Sequence, residues 1–423
     1  MTKLTKFIQG GLLTLVAIMP FHAFLSVWLG HIFGHQALFQ AWKEVLLIAL
    51  CLAAALLIWR EPTVRSRLRQ PWVFAGAGLI IVGLIVSAVT HPGYQSTLFG
   101  FKTDFEFIVA AGLATLVSSS KLVHNITTTI LIGAALVTGF DTLQIFILPI
   151  NFLAQFGYGP ATIVPYQHIA AGTSALRFPS TLGGPNQLGT YLILPLCIAV
   201  SSFILRRRWW LLLLIATSVI SLTFTFSRSA WIGALVAVSL TIMATLPSSK
   251  RRSALILSGI IILVSVIALP FALSKGGPLQ YFLLHSSLAT HNQSNLSDSQ
   301  HVSSLRAGLT ADLHNPFGHG LGTAGPTVFH VGTGTIIENY YLQLGYEMGL
   351  LAIVLFVTML ILLINALLRP SAPSMLAVPC AAAIVGISVV AFVLPAWVDS
   401  STALITLIAA GAAGGLTREH SHV

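Results

Sequence analysis

The chain has 423 residues, 56% of them hydrophobic and 8% charged, with a formal net charge of +10 at neutral pH. A soluble domain carries about a quarter charged residues, so this composition excludes a soluble globular enzyme. The basic excess does not indicate a nucleic-acid-binding protein, because the Lys and Arg residues cluster in short loops between apolar runs.

In chain order, apolar blocks near 9–33, 43–59, 71–90, 98–117, 125–148, 186–205, 208–226, 229–246, 254–272, 338–367, 374–397 and 400–416 have the length expected of membrane spans. A helix of roughly 20 apolar residues crosses the hydrocarbon core, and helix is the form in which each block satisfies its own backbone. The expected fold class is therefore all-α: a polytopic transmembrane helical bundle of about 12 spans, with residues 1–423 as one integral membrane domain. The first block is too long for a signal peptide and lacks a small-residue cleavage pattern, so it reads as the first span. Cys51, Cys197 and Cys380 each lie inside an apolar run and read as small buried hydrophobes.

An even number of spans puts both termini on one side. If that side is the cytoplasm, its segments hold fifteen of the 21 basic residues, including those of "RSRLR", "RRR" and "KRR". The positive-inside bias supports this orientation. Two outer segments, 149–185 and 273–337, exceed a plain turn and are the expected active-site region. No internal repeat is evident, so an inverted-repeat transporter gains no support.

Six basic residues fall off the cytoplasmic side, and three of them stand beside turn signals. Arg177 precedes "GGPN", Arg228 sits in "TFSRSAW", and Arg306 sits in the large outer loop. Each has a structural alternative, snorkelling to headgroups or capping carbonyls. Together they suggest anion capture, since guanidinium groups make forked, permanently charged hydrogen bonds to phosphate. Asn186 opens a span, and the turn before it would aim that helix start at a ligand; Pro185 equally fits a plain helix start. Glu338, expected in the first turn of the tenth span, is either a dipole partner or a general base facing the same cavity. Glu347 lies deeper and calls for a structural partner. Of the loop histidines His285, His291, His301, His314, His319 and His330, the pair His319 and His330 flank "HGLGTAGPTVFH" and are the candidates for substrate contact. None has the compact spacing of a zinc motif, and no metal is expected. Lys102 and Asp104 form a local ion pair or line the outer site; Asp141 and Asp399 have no assigned role.

Four pieces, in this order, resemble the O-antigen ligase and polymerase (Wzy/WaaL-like) superfamily: "RFPSTLGGPNQLGTYL", "TFSRSAWIGALVA", "LRAGLTADLHNPFGHGLGTAG" and "ENYYLQLGYEMGLLA". They cover roughly 175–355. The resemblance implies a GT-C-like, all-helical membrane glycosyltransferase in the bacterial cytoplasmic membrane, with its site on the outer face, a large extracytoplasmic loop between spans nine and ten, no cofactor and no metal. It implies a glycan donor on undecaprenyl diphosphate and a glycan acceptor, with Arg177, Arg228 and Arg306 holding the diphosphate. In ligases the last motif begins with histidine and asparagine, the histidine being the proposed base. Here Glu338 and Asn339 stand there, which favours a polymerase or another polysaccharide transferase over a ligase. A flippase for lipid-linked sugars is the alternative from another class; it would place its charges at the midplane rather than at one face.

Overall fold

The computed structural model describes residues 2–169, 176–247, 249, 291–332, 334–369 and 374–419; the span expected at 254–272 lies outside them. The described chain is a helical bundle with one two-stranded hairpin. Among the described residues, seven helical stretches are long and apolar enough to cross a membrane, and three shorter apolar helices accompany them. The all-α membrane class therefore stands.

The stretch Lys3–Phe33 is two helices, α1 (Lys3–Ile18) and α2 (His22–Phe33), joined by a tight 3₁₀ turn at Met19–Phe21. Pro20 causes the break, since it has no N–H to give to the helix ladder. A short α3 (Gln36–Gln40) precedes α4 (Trp42–Arg60); α5 (Pro71–Thr90) matches its sequence block at both ends. The block at 98–117 is α6 (Tyr94–Leu116), a long helix carrying Lys102, Asp104 and Glu106. It is not among the seven apolar stretches, because its charges are paired inside the protein rather than absent. Next come α7 (Ser120–Phe146), then the nearly continuous α8 (Pro185–Tyr191) and α9 (Ile193–Arg206), α10 (Trp210–Phe224) and α11 (Arg228–Thr245).

The polar loop expected over 273–337 contains a helix, α12 (His291–His314), followed by a one-turn α13 (Val328–Val331). The single span expected at 338–367 is instead two helices, α14 (Tyr340–Met348) and α15 (Leu350–Leu367). The break is at Gly349, whose φ of 82° is costly for any residue with a Cβ. Pro316 sits against it, its carbonyl accepting from Leu350 N–H at 3.0 Å. The bundle closes with α16 (Ala377–Val390) and α17 (Ser400–Glu419).

Helix α17 is the centre of the bundle: every side chain from Ser401 to Leu416 is buried. Its "AAGAAGG" run lets neighbouring backbones come close, which is how helices associate where lipid offers no hydrophobic drive. Thr115 of α6 and Ser118 just after it donate to the carbonyls of Gly411 and Ala412 at 2.9 and 2.6 Å. Helices α11 and α16 meet in the same way, Gly233 against Gly386.

Candidate functional site

The two ends of the bundle differ. Arg60, Arg206 and Arg207 end or follow helices at one, here the basic end; the starts of α8, α11, α14 and α17 lie at the other, the site end.

The segment before α8 is held at the site end in three steps. Residues 152–163 fold over α2, where Phe24, Phe152, Phe156 and Ile163 pack around Val27, Leu153 and Tyr158. Gln167–His168 then pairs antiparallel with Leu176–Arg177, as β1 and β2, with Arg177 opposite Gln167. Finally the chain enters the bundle. Ser180 Oγ donates to the Val137 carbonyl at 2.9 Å, and Thr181 Oγ1 to the Pro20 carbonyl at 2.8 Å. Phe24 N–H would bond Pro20 in an unbroken helix, but donates to the Thr181 carbonyl instead. Thr181 thus repairs the break that Pro20 makes.

Arg177 is fixed by this anchorage. Its Nε donates to the Thr225 carbonyl at 2.5 Å and its Nη2 to Asn186 Oδ1 at 2.6 Å. Thr225 is presented by the turn between α10 and α11, where Phe226 takes a left-handed conformation (φ 50°) and Trp231 Nε1 donates to the Leu222 carbonyl at 2.6 Å. Helix α8 packs on α11 at Gly189, against the Ala230 side chain. The two motifs "RFPSTLGGPN" and "TFSRS" therefore form one corner. Burial, and the positive charge of Arg228 beside it, push the Arg177 pKa down to about 10. The group stays protonated at neutral pH. Both its acceptors are neutral oxygens, so neither cancels its charge.

Asn186 is therefore the positioning partner of Arg177, and its oxygen is already engaged. Glu338 is not in the first turn of its helix, as expected from the sequence. Asn339 is the N-cap, its Oδ1 accepting from Leu342 N–H at 3.0 Å while its Nδ2 donates to the Phe392 carbonyl at 2.8 Å. That pins Glu338, half-buried, beside the turn after α16. Helix α11 packs on α16 just before that turn, Gly233 against Val390, and Arg228 opens α11 about 7.5 Å before Gly233 at 1.5 Å per residue.

Other expected site residues are placed differently. Arg306 is exposed on α12, which meets α14 through Gly308 and Asp312. His319 stacks on Tyr346 with ring centroids 4.1 Å apart. Its Nδ1 lies 3.1 Å from the Tyr346 carbonyl and its Nε2 3.3 Å from Asn315 Nδ2. Both ring nitrogens are engaged, one with α14 and one within the loop. The side chain of His330 lies outside the described residues. Lys102 is not paired with Asp104: its Nζ lies 2.6 Å from Glu44 Oε1. The reason is helical phase, since positions two apart on a helix face away from one another.

Sequence reasoning missed the charge network behind this. Buried Lys43 donates to both oxygens of Glu106, at 2.8 and 2.6 Å, and lies 3.1 Å from Glu44. Ser400, at the start of the central helix, donates to Glu106. The only signal was charge inside apolar blocks, in "WKEVL" and "DFEF". Glu347 does have the structural partner it calls for. It lies fully buried beside the equally buried Asp104 of α6. Glu347 also accepts from Ala324 N–H at 3.0 Å. The glycine-rich loop thus spends a backbone donor on the bundle.

No curated protein matches the chain. The family model described as O-antigen ligase matches residues 212–357, a stretch that holds Arg228, Arg306 and Glu338 and that begins after Arg177 and Asn186. Three of the four motifs lie inside that match, so residues 212–357 are similar to the O-antigen ligase family, in support of the Wzy/WaaL-like resemblance.

Proposed function

We propose that this protein is a membrane glycosyltransferase that transfers or polymerises glycan carried on undecaprenyl diphosphate, at the outer face of the cytoplasmic membrane. The observation that carries the reading is the corner where Arg177 and Arg228 stand together, Arg177 held by Asn186 and the Thr225 carbonyl. Two like charges in one partly buried corner repel each other. A diphosphate between them relieves that repulsion and accepts forked hydrogen bonds.

In the proposed reaction an acceptor hydroxyl attacks the anomeric carbon of the donor sugar. A new C–O bond forms there as the bond to the diphosphate oxygen breaks. The electron pair leaves on the lipid diphosphate, and Arg177 and Arg228 meet the charge as it develops. The hydroxyl proton passes to Glu338. Arg306, on the exposed face of α12, binds the donor's outer sugars or diphosphate only when substrate reaches it. The positive-inside distribution of Lys and Arg supports an outward-facing site. Glutamate at the position of the ligase histidine supports polymerase over ligase.

The test is purified protein given lipid-linked oligosaccharide as the only glycan. A polymerase releases lipid diphosphate and lengthens the glycan on the remaining lipid. A ligase needs a separate acceptor before any diphosphate appears. A flippase releases none even after a separate glycan acceptor is added, and that result would overturn the reading.

A further inference from the structure

At the basic end, remote from Arg177 and Arg228, a cavity of about 550 Å³ lies between α7, α9 and α10. Its α7 wall runs from Ser120 to Ala135, roughly 22 Å at 1.5 Å per residue. That exceeds one leaflet, half of the ~30 Å hydrocarbon core. The groove ends where α7 and α10 meet, Thr138 Oγ1 standing 3.0 Å from Thr217 Oγ1. Its depth, lined by Leu131, Ile132 and Ala135, is apolar, and Val123, Leu211 and Leu416 add apolar wall nearer the opening.

The mouth has a different chemistry. Arg207 takes a left-handed conformation (φ 53°) that reverses the chain between α9 and α10, so that Arg206 and Arg208 both line the opening, with Trp210 beside them. Arg206 Nη2 donates to Met375 Sδ at 2.8 Å, a weak acceptor. Among the described residues the cavity lining contains no carboxylate and neither arginine is in an ion pair. The whole is an apolar slot of acyl-chain depth under an uncompensated cationic rim, with a tryptophan at the level where tryptophans meet lipid headgroups.

We propose that this groove binds an anionic phospholipid of the bilayer, one acyl chain in the slot and the phosphate on Arg206 and Arg208. A zwitterionic lipid fills the slot equally well but brings its own cation to the rim, so selectivity comes from the two arginines and retention from the slot. Basic pockets between membrane helices recognise anionic headgroups on these grounds.

The full chain, purified in neutral detergent, is titrated with phosphatidylglycerol, phosphatidylcholine and undecaprenyl phosphate, and retained lipid is counted by native mass spectrometry. Wild-type protein is expected to prefer phosphatidylglycerol to phosphatidylcholine about tenfold or more, at roughly 1 kcal/mol per arginine near the headgroup. Arg206→Gln with Arg208→Gln brings the two lipids to parity. Ala135→Trp, which fills the slot from its lipid-facing side, lowers retention of both. Unchanged selectivity in the arginine variant, or unchanged retention in Ala135→Trp at an unaltered melting temperature, would overturn the proposal. Preference for undecaprenyl phosphate over phosphatidylglycerol would also overturn it, by assigning the groove to the carrier lipid.

Discussion

Arg177 Nη2 donates to Asn186 Oδ1 at 2.6 Å, nine residues along the chain and across the "GGP" turn. The pair explains why an arginine and an asparagine stand at the edge of an apolar helix. The turn folds the strand back onto the helix start, and the amide aims a half-buried guanidinium without cancelling its charge. Neutrality of the acceptor matters, because a carboxylate there would compete with an anionic substrate.

Asn186→Asp tests that point. The new carboxylate forms a salt bridge with Arg177, so the folded protein melts at or above the wild-type temperature. A charged hydrogen bond contributes about 1.5–3 kcal/mol, so the donor KM is expected to rise about tenfold or more. Asn186→Ala should have a smaller effect, since the Thr225 carbonyl still holds Nε. Steady-state kinetics with varied lipid-linked donor separate the two variants.

Gly233→Val probes the frame under Arg228. A side chain at Gly233 collides with the Gly386 carbonyl and Val390. Overpacking of this kind costs about 1–3 kcal/mol. The variant is expected to melt several degrees lower and to lose activity through kcat, as α11 carries Arg228 off its corner; thermal unfolding and turnover on the same sample measure both.

The network around Lys43 is a fastening of α4 and α6 to the central helix. Lys43→Met leaves Glu106 buried and unpaired, a loss of about 3–5 kcal/mol. Adding Glu106→Leu removes the orphaned charge and is expected to restore most of the stability, because an apolar pair is often as stable as a buried ion pair. Detergent-solubilised melting curves of the two variants decide this; equal melting of single and double variant would rule it out.

Much of the fold was legible because the blocks that must cross lipid are long and apolar, and α5 agrees with its block to the residue. The breaks were less legible. Gly349 reads as an ordinary glycine in a span until Pro316, from the preceding loop, is seen to occupy the place of its side chain. Helix α12 arises from a stretch rich in Ser, Asn and His, poor helix formers, and it packs on α14 through Gly308 and Asp312. The Arg177 corner was half legible: a turn in the sequence brings Arg177 to Asn186, but the meeting with Arg228 depends on how α8 crosses α11. The partners of Lys43 and Glu347 were not legible at all, since Lys43 and Glu106 lie 63 residues apart and meet only once the helices pack.

Asp312 was passed over in the sequence, and it sets a pH dependence. Its carboxyl is 1% exposed and packs on Gly345, with neither oxygen in a hydrogen bond. Burial raises its pKa from 3.8 to about 7. Between those values the folded chain holds a proton that the unfolded chain has released. Its contribution to stability is therefore full below about pH 4 and is lost as pH rises through about 7. Asp312→Asn mimics the protonated form. It is expected to match wild type at pH 5 and to melt higher at pH 8, with a flatter profile between them.

The central claim is that Arg177 and Arg228 jointly stabilise a departing diphosphate. Single-turnover release of lipid diphosphate from the lipid-linked donor tests it most directly, at matched amounts of folded protein. Arg177→Ala and Arg228→Ala should each slow release by about 10²–10³, the loss seen when one donor to a developing oxyanion is removed. Arg177→Lys should recover little of that rate, because an ammonium cannot reproduce the fork that reaches Asn186 and Thr225 together. Release at the wild-type rate from folded Arg228→Ala would contradict the account.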